Sequence, residues 1–220
     1  MHSIFKFCPM KFKFFRSRYS GTQPRILDIG CGNNSPSHTK RWFPGCHYVG
    51  ADIQDYNMND GDRAALDGFF RLGTDASGYD LIPDNSFDFV IVNHVLEHMV
   101  DPAPVLALLC GKLRPGGYIW IAFPSLRSLS LPSAEGCLQF CDDFSHVYLP
   151  DVREVTNVLL KNHVKVLHAG RSKYLVRSLI GVAVLPWEAL RLLFTGKFSG
   201  SRLWYLVGFE DHVFGQASLP

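Results

Sequence analysis

The chain of 220 residues lacks several features that would assign a protein to a class at once. Its net charge is only +2, so no global excess of basic residues points to nucleic acid. Its most apolar run, residues 179–187, is interrupted by Pro186, and a transmembrane helix needs roughly 20 apolar residues. Six cysteines follow no regular spacing, which predicts reduced thiols in a cytoplasmic protein rather than a disulfide framework.

A metal site is not indicated by the sequence either. Cys137, Cys141 and His146 are the grouping that comes nearest to a set of zinc ligands. Their spacing is loose for zinc, and no fourth ligand is evident. We therefore predict no metal.

What the chain does have is the composition of a folded α/β domain. Hydrophobic residues make up 47% and charged residues 19%, which is typical of a globular protein. Helices are predicted over 102–113, with Asp101 as the N-cap, and over 151–162, with a Pro/Gly turn at 114–117 ending the first. Apolar runs predict strands at 25–29, 47–52, 69–72, 87–92, 118–123, 164–167 and 212–217. This alternation predicts a doubly wound, mostly parallel seven-stranded sheet with helices on both faces.

Two segments lie outside this alternating pattern. Residues 1–23 form an arm in which phenylalanines alternate with basic residues, and residues 24–220 are predicted to form one domain. We favour an arm that packs on the domain and covers its pocket, with an anionic membrane surface as the alternative partner. Residues 172–208 are too long for a connection and predict a helical insertion before the last strand. A lid with its own small core, a dimer contact and a lipid-binding patch are the alternatives for this insertion.

The first predicted strand ends in a glycine turn. Gly30 and Gly32 let a ligand approach the backbone closely, next to the free N–H groups of a following helix. Asp52 ends the second strand, where a carboxylate can accept hydrogen bonds from both hydroxyls of a ribose. The third glycine of the dinucleotide fingerprint is absent, because 33–35 is Asn-Asn-Ser. The turn therefore favours a nucleoside ligand over a diphosphate.

The order of these motifs resembles the class I S-adenosylmethionine-dependent methyltransferases, in their small-molecule branch. The block at 26–32 is similar to the first motif of that family, and Asp52 is similar to its ribose ligand. The blocks at 74–76, 83–98 and 113–117 agree with its later motifs in order and spacing. The resemblance implies a Rossmann-like fold, S-adenosylmethionine as the cofactor and a small-molecule acceptor.

The resemblance also implies roles for single residues. The glycine turn would hold the methionine end of the cofactor, Asp52 would bind the ribose, and Asp75 and Ala76 would meet the adenine. Asn93, at the end of the fourth strand, would face the reacting centre. The implied cofactor-binding residues are Asp28, Gly30, Cys31, Gly32, Asp52, Ile53, Asp75, Ala76 and Asn93.

Two histidines are candidate catalytic bases. A general base contributes about 10²–10⁴-fold if the acceptor is a hydroxyl. His146 is the first candidate, because its loop after the fifth strand would overhang the reacting methyl and Asp143 could raise its basicity. The alternative for His146 is a residue that packs or caps its loop. His94 is the second candidate, although we favour a structural role for it.

The sequence thus predicts a cytoplasmic methyltransferase acting on a small-molecule or a glycan- or lipid-linked acceptor, with O-methylation favoured. The alternative is a non-catalytic S-adenosylmethionine-binding or scaffold protein on the same fold. A nicotinamide-dependent oxidoreductase is disfavoured by the missing third glycine. We predict no nucleic-acid partner, a monomer or homodimer, and 1–20 or 172–208 as the segments that would contact a membrane.

Overall fold

The computed structural model describes residues 8–54, 57–73, 77–136, 138–173, 175–200 and 203–219. The strands are β1 (Arg25–Ile29), β2 (His47–Asp52), β3 (Gly68–Arg71), β4 (Phe87–Asn93), β5 (Leu113–Pro124), β6 (Val164–Arg171) and β7 (Glu210–Ala217). The helices are α1 (Met10–Arg16), α2 (Ser35–Trp42), α3 (Asp60–Ala65), α4 (Ala103–Lys112), α5 (Val152–Lys161), α6 (Leu175–Thr195) and α7 (Trp204–Val207).

The seven strands form one sheet in the order β3-β2-β1-β4-β5-β7-β6. Strands β1 to β5 pair in parallel, and β7 runs antiparallel to both of its neighbours. The predicted fold class is therefore confirmed. The strand order reverses between β1 and β4, and ligands of doubly wound sheets bind at the carboxyl ends of the strands at such a point.

The sheet has a hydrophobic core on each face. Successive side chains of a strand point to opposite faces, so Leu27 packs against α4 and α5 whereas Ile26 faces α1. Both side chains are fully buried. This two-sided burial explains why the strands read as continuous apolar runs rather than alternating ones.

The amino-terminal arm packs on the sheet. Phe12 and Phe15 of α1 are 0% exposed, and the Phe15 ring stacks on Phe89 of β4 with centroids 4.4 Å apart. Helix α1 therefore shares a core with the sheet instead of standing apart from the domain. The arm before residue 8 lies outside the described residues.

Strand β5 begins earlier than predicted. The expected turn at 114–117 is part of the strand, where Gly116 adopts a φ of +76° and the register with β4 shifts between Phe87 and Phe89. A glycine can take this backbone conformation without strain, so the strand accommodates an irregularity here instead of ending.

The insertion before β7 is helical, as predicted. Leu131, Leu138, Leu203 and Phe209 form a small core of their own beside α7. Within α6, residues Arg177–Thr195 are long and apolar enough to cross a membrane, judged by length and composition alone. A helix of this length and hydropathy was not predicted from the sequence, because Arg177, Glu188 and Arg191 interrupt the apolar run.

Candidate functional site

The turn after β1 requires a glycine at its first position. Gly30 has a φ of +69°, and its N–H donates to the carbonyl of Ala51 at 2.8 Å. A Cβ atom at this position would lie 2.5 Å from Cγ2 of Val95, closer than any real contact. The backbone of the turn is therefore packed tightly between β2 and the segment after β4.

Asp28 stabilises the turn by bonding to the elements on either side of it. Its buried carboxylate accepts hydrogen bonds from Ser35 Oγ at 2.6 Å and Tyr48 Oη at 2.8 Å, which ties β1 to α2 and to β2. Burial raises the pKa of Asp28. Cys31 is also fully buried, and burial raises the pKa of its thiol. Both residues shape the turn, and direct contact with a cofactor stays a prediction for them.

Asp52 lies beside the turn, as the spacing predicts. The backbone N–H of Gly32 donates to its Oδ2 at 3.3 Å, and that of Gln54 donates to its Oδ1 at 3.4 Å. The carboxylate is half-buried, and burial raises its pKa. Ile53, the next residue, is 47% exposed. The glycine turn and the side chain of Asp52 thus form one edge of the site.

A cavity of about 200 Å³ opens at the carboxyl end of β4. Its lining residues are Pro9, Lys11, His38, Asn93, His94, Trp120, Arg177, Trp204 and Glu210. Of these lining residues, Asn93 and His94 were predicted from the sequence as site residues. The other predicted residues do not line it, and Asp75 and Ala76 lie outside the described part of the chain.

One side of the cavity is basic. Lys11 comes from α1, Arg177 from α6 and His38 from α2. Burial lowers the pKa of His38, and the charges of Lys11, Arg41 and Arg177 lower it further. His38 is therefore neutral at pH 7, and the positive charge of this side resides on Lys11 and Arg177.

His94 lies between two buried carboxylates. Its Nδ1 is 3.0 Å from Oε1 of Glu97, and its Nε2 is 2.9 Å from Oε2 of Glu210. Burial alone would lower the pKa of His94, but the hydrogen bonds to both carboxylates raise it to about 10. His94 is therefore an imidazolium whose two N–H groups both donate, so it has no lone pair to accept a proton. This corrects its candidacy as a general base and agrees with the structural role favoured for it.

The central part of the chain matches a known protein family. Residues 27–121 match the family model described as a methyltransferase domain. The matched region contains the second half of β1, the glycine turn, Asp52 and most of β5. The chain carries a class I S-adenosylmethionine-dependent methyltransferase domain. S-adenosylmethionine as the cofactor is confirmed with the family.

Relatives of this methyltransferase differ in the acceptor that their names state. The chain is 24% identical over 187 residues to a ubiquinone biosynthesis O-methyltransferase of Marinobacter nauticus, covering 81% of this chain and 75% of the relative. It is 32% identical over 111 residues to a sterol 24-C-methyltransferase of Yarrowia lipolytica, covering 46% of this chain and 29% of that one. A solved S-adenosylmethionine-dependent methyltransferase from Archaeoglobus fulgidus shares the fold, with a TM-score of 0.55 at 17% identity over 94% of this chain and 91% of the other.

The donor set of the methyltransferase fits its cofactor. Asp52 offers carboxylate oxygens to a ribose diol at the edge of the glycine turn. Asn93 and His94 lie at the end of β4, the strand beside β1, and His94 contacts the ionised carboxylate of Glu210 there, where a sulfonium would gain from negative charge. Asp52 would therefore hold the nucleoside, and the residues after β4 would face the reacting centre.

His146 lies outside the cavity lining of the methyltransferase. Its Nδ1 is 2.7 Å from the carbonyl oxygen of Phe140, its ring packs against that of His98, and Asp143 lies 3.9 Å from its Nε2. The expected carboxylate neighbour is thus present. The base role of His146 stays a prediction.

Three residues of the methyltransferase could hold a metal ion. Glu97, His98 and His146 each bring one ligand atom to within 4.8 Å of the others. Oε2 of the buried Glu97 has no hydrogen-bond partner among the described residues. The cysteine considered in the sequence analysis, Cys141, is an exposed thiol that does not join this group, and Cys137 lies outside the described residues.

The cavity residues that come from outside the motifs were not predicted from the sequence. Lys11 lies in the arm, Arg177 in the insertion and Glu210 at the start of the last strand. Glu210 is 116 residues away from His94 in the chain, so no local pattern connects the two. An acidic residue just before the predicted last strand was the one signal available for it.

Proposed function

We propose that this methyltransferase transfers a methyl group to a hydroxyl oxygen of a small-molecule acceptor bound in the cavity beside β4. The observation that carries the proposal is the Glu97–His94–Glu210 group, because it presents the carboxylate of Glu210 to the cavity. The names of several relatives, ubiquinone biosynthesis O-methyltransferases, support oxygen as the acceptor atom. Five free cysteines among the described residues support the predicted cytoplasmic location.

Some residues around the cavity would bind and orient the acceptor, and another would remove the proton of its hydroxyl group. S-adenosylmethionine supplies an electrophilic methyl group when it is bound. Asn93 and the aromatic wall of Trp120 and Trp204 would position the acceptor in line with that methyl group, which is where most of the rate enhancement of such a displacement arises. Glu210 would take the hydroxyl proton.

Glu210 is suited to this step because it is ionised. Burial alone would raise its pKa, but the hydrogen bond and the charge of His94 lower it. The carboxylate therefore stays negative at pH 7, and the imidazolium fixes its orientation. His146 is retained as the competing candidate for the base.

The test is methyl transfer from labelled S-adenosylmethionine to matched phenol, aniline and methoxybenzene acceptors. We expect label on the phenol, and a loss of about 10²–10⁴-fold in kcat for Glu210→Gln with S-adenosylhomocysteine affinity retained. His146→Asn is the matched variant, and a comparable loss there alone would transfer the base role to His146. Binding of S-adenosylhomocysteine without transfer to any acceptor of a wider hydroxylated panel would favour the non-catalytic alternative.

A further inference from the structure

The outward surface of α6 is apolar. A contiguous exposed apolar surface of this kind marks a contact with a partner or a membrane. Nine large apolar side chains of the helix are exposed: Leu179, Ile180, Val182, Leu185, Trp187, Leu190, Leu192, Leu193 and Phe194.

The charged residues of α6 lie together on one side of the helix, where Glu188 and Arg191 bond to the rest of the protein and Arg177 is exposed. At about 100° per residue, Arg177, Glu188 and Arg191 fall within about 60° of one another, and the exposed apolar side chains fill the remaining arc of about 240°. The buried Glu188 accepts a hydrogen bond from the backbone N–H of Ser199 at 2.8 Å, and Arg191 Nη2 lies 2.6 Å from Oε2 of Glu135. This is the reverse of an ordinary surface helix, which turns its polar side to water.

Both ends of α6 are tied to the domain. Before the helix, the N–H of Ser172 donates to the carbonyl of Glu210 at 2.9 Å; after it, Lys197 Nζ lies 3.4 Å from Glu135 Oε1, and the N–H of Gly200 donates to the Glu135 carbonyl at 2.7 Å. A helix of this length extends about 31 Å. A membrane-spanning orientation would carry one end that far from the domain and break these contacts. The geometry is therefore that of a helix lying flat in one leaflet.

Basic side chains gather where the start of α6 meets α1. Lys11, Arg41 and Arg177 all act on His38, and Lys173 is exposed just before the helix. Positive charge beside an apolar face complements a membrane with anionic head groups, because each nearby Lys or Arg is attracted to the negatively charged surface. The same end of α6 carries Arg177 to the cavity lining.

We propose that α6 inserts its apolar face into one leaflet of an anionic membrane, with the mouth of the cavity turned toward the head groups. The inference deepens the proposed function and rests on it for the nature of the acceptor. An amphiphile with a hydroxylated head group keeps its apolar tail in the leaflet while the head group enters the cavity. The insertion before β7 is then the membrane-binding element of the enzyme.

Co-sedimentation with vesicles tests this proposal on the whole chain, without cofactor or acceptor. Phosphatidylcholine vesicles with and without phosphatidylglycerol are compared. We expect binding to the anionic vesicles, and a loss of at least about tenfold, or about 1.4 kcal/mol, in the triple variant Trp187→Gln, Leu193→Gln, Phe194→Gln. The matched control replaces Leu81 and Leu160, which are exposed elsewhere on the domain, by Gln and should bind as the wild type does. Because neither set is buried, circular dichroism and unfolding midpoints should agree among the three proteins.

Depth of insertion gives a second readout. Trp187 fluorescence, taken as the difference between the wild type and Trp187→Phe, should be quenched by lipids brominated near the head group and little by lipids brominated at the chain ends. Absence of vesicle binding, equal binding of the triple variant, or quenching only at the bilayer centre would overturn the proposal. So would sedimentation velocity showing a dimer that the triple variant dissolves, since a second copy would then cover the face. Failure here leaves S-adenosylhomocysteine binding and methyl transfer intact, so it is distinguishable from failure of the proposed function.

Discussion

At the scale of single residues, His94 links the segment after β4 to the distant strand β7, because it bonds to both Glu97 and Glu210. Its positive φ of +55° follows directly after β4, where the ring can reach the start of β7. The result is a partly exposed imidazolium between the carboxyl groups of Glu97 and Glu210, both of which are buried. Such groups are costly to break on one side only, because the remaining charges lose their partner in a low-dielectric environment.

His94→Gln should therefore destabilise the fold. Removing the imidazolium leaves two buried carboxylates together, and we expect a decrease of about 3–5 kcal/mol in the free energy of unfolding at pH 7, measured by urea titration. The double variant with Glu210→Gln should recover part of that loss. A single variant as stable as the wild type would contradict the assignment of His94 as the central cation.

The pH dependence of stability has a defined sign at His94. Its pKa of about 10 in the folded protein lies above the ordinary value of 6.5. The stabilisation is fully present below pH 6.5 and is lost as the pH rises toward 10. Unfolding free energies measured across this window should decline in the wild type, and the decline should be smaller in His94→Gln.

His212 should act in the opposite direction. It is fully buried, bonded to Ser172 and His168, and burial lowers its pKa to about 4. The unfolded chain then binds the proton more tightly, so stability falls as the pH drops from 6.5 toward 4, by about 3 kcal/mol at most. His212→Gln, which retains hydrogen-bonding capacity, should remove this acid-side slope in urea titrations; an unchanged slope would mean that other groups cause it.

At the scale of elements, α1 is held by its aromatic side chains. Phe15 stacks on Phe89 and meets Phe43 and Tyr118 edge-on. This packing places Lys11, one turn earlier, at the cavity. The basic and aromatic arm thus lines one side of the site. Its phenylalanines at helical spacing, Phe12 and Phe15, face the sheet and hold the helix in place.

Phe15→Ala should cost about 3–5 kcal/mol of stability, the range for deleting a fully buried phenylalanine side chain. Urea unfolding of this variant is compared with that of Lys13→Ala, an exposed position on the same helix, which should stay within about 0.5 kcal/mol of the wild type. Equal effects of both substitutions would argue that α1 contributes no core packing.

At the scale of the whole molecule, the cofactor should stabilise the fold. S-adenosylhomocysteine at about 100 times its dissociation constant adds about 2.7 kcal/mol, which is about 5–10 °C in Tm for a chain of this size. Asp52→Ala should reduce the shift by removing the ribose acceptor, whereas Asp80→Ala, an exposed carboxylate, should not. A full shift in Asp52→Ala would place the nucleoside elsewhere, and NAD should give no shift in any variant.

Much of the scaffold could be predicted from the sequence. Strands β1, β2 and β4 are short apolar runs that end in glycine or a polar residue, and that local signal survives without tertiary context. Gly30 and Asp52 follow from the same logic, because each must stand at the end of a strand. The apolar face of α6 could not be predicted in this way. Its three charged residues are dispersed in the sequence and lie on one side only when the helix has formed.

The sequence by itself therefore determined the fold class, the glycine turn and the acidic residue beside it, because these depend on local periodicity and on the conformational freedom of glycine. Only the tertiary structure decided what surrounds the reacting centre. Lys11, Arg177 and Glu210 come from the arm, the insertion and the last strand, and packing brings them to one cavity. Tertiary contacts also turned His94 from a candidate base into a cation held between two carboxyl groups, since the protonation state of an imidazole depends on the carboxylates that the fold places beside it.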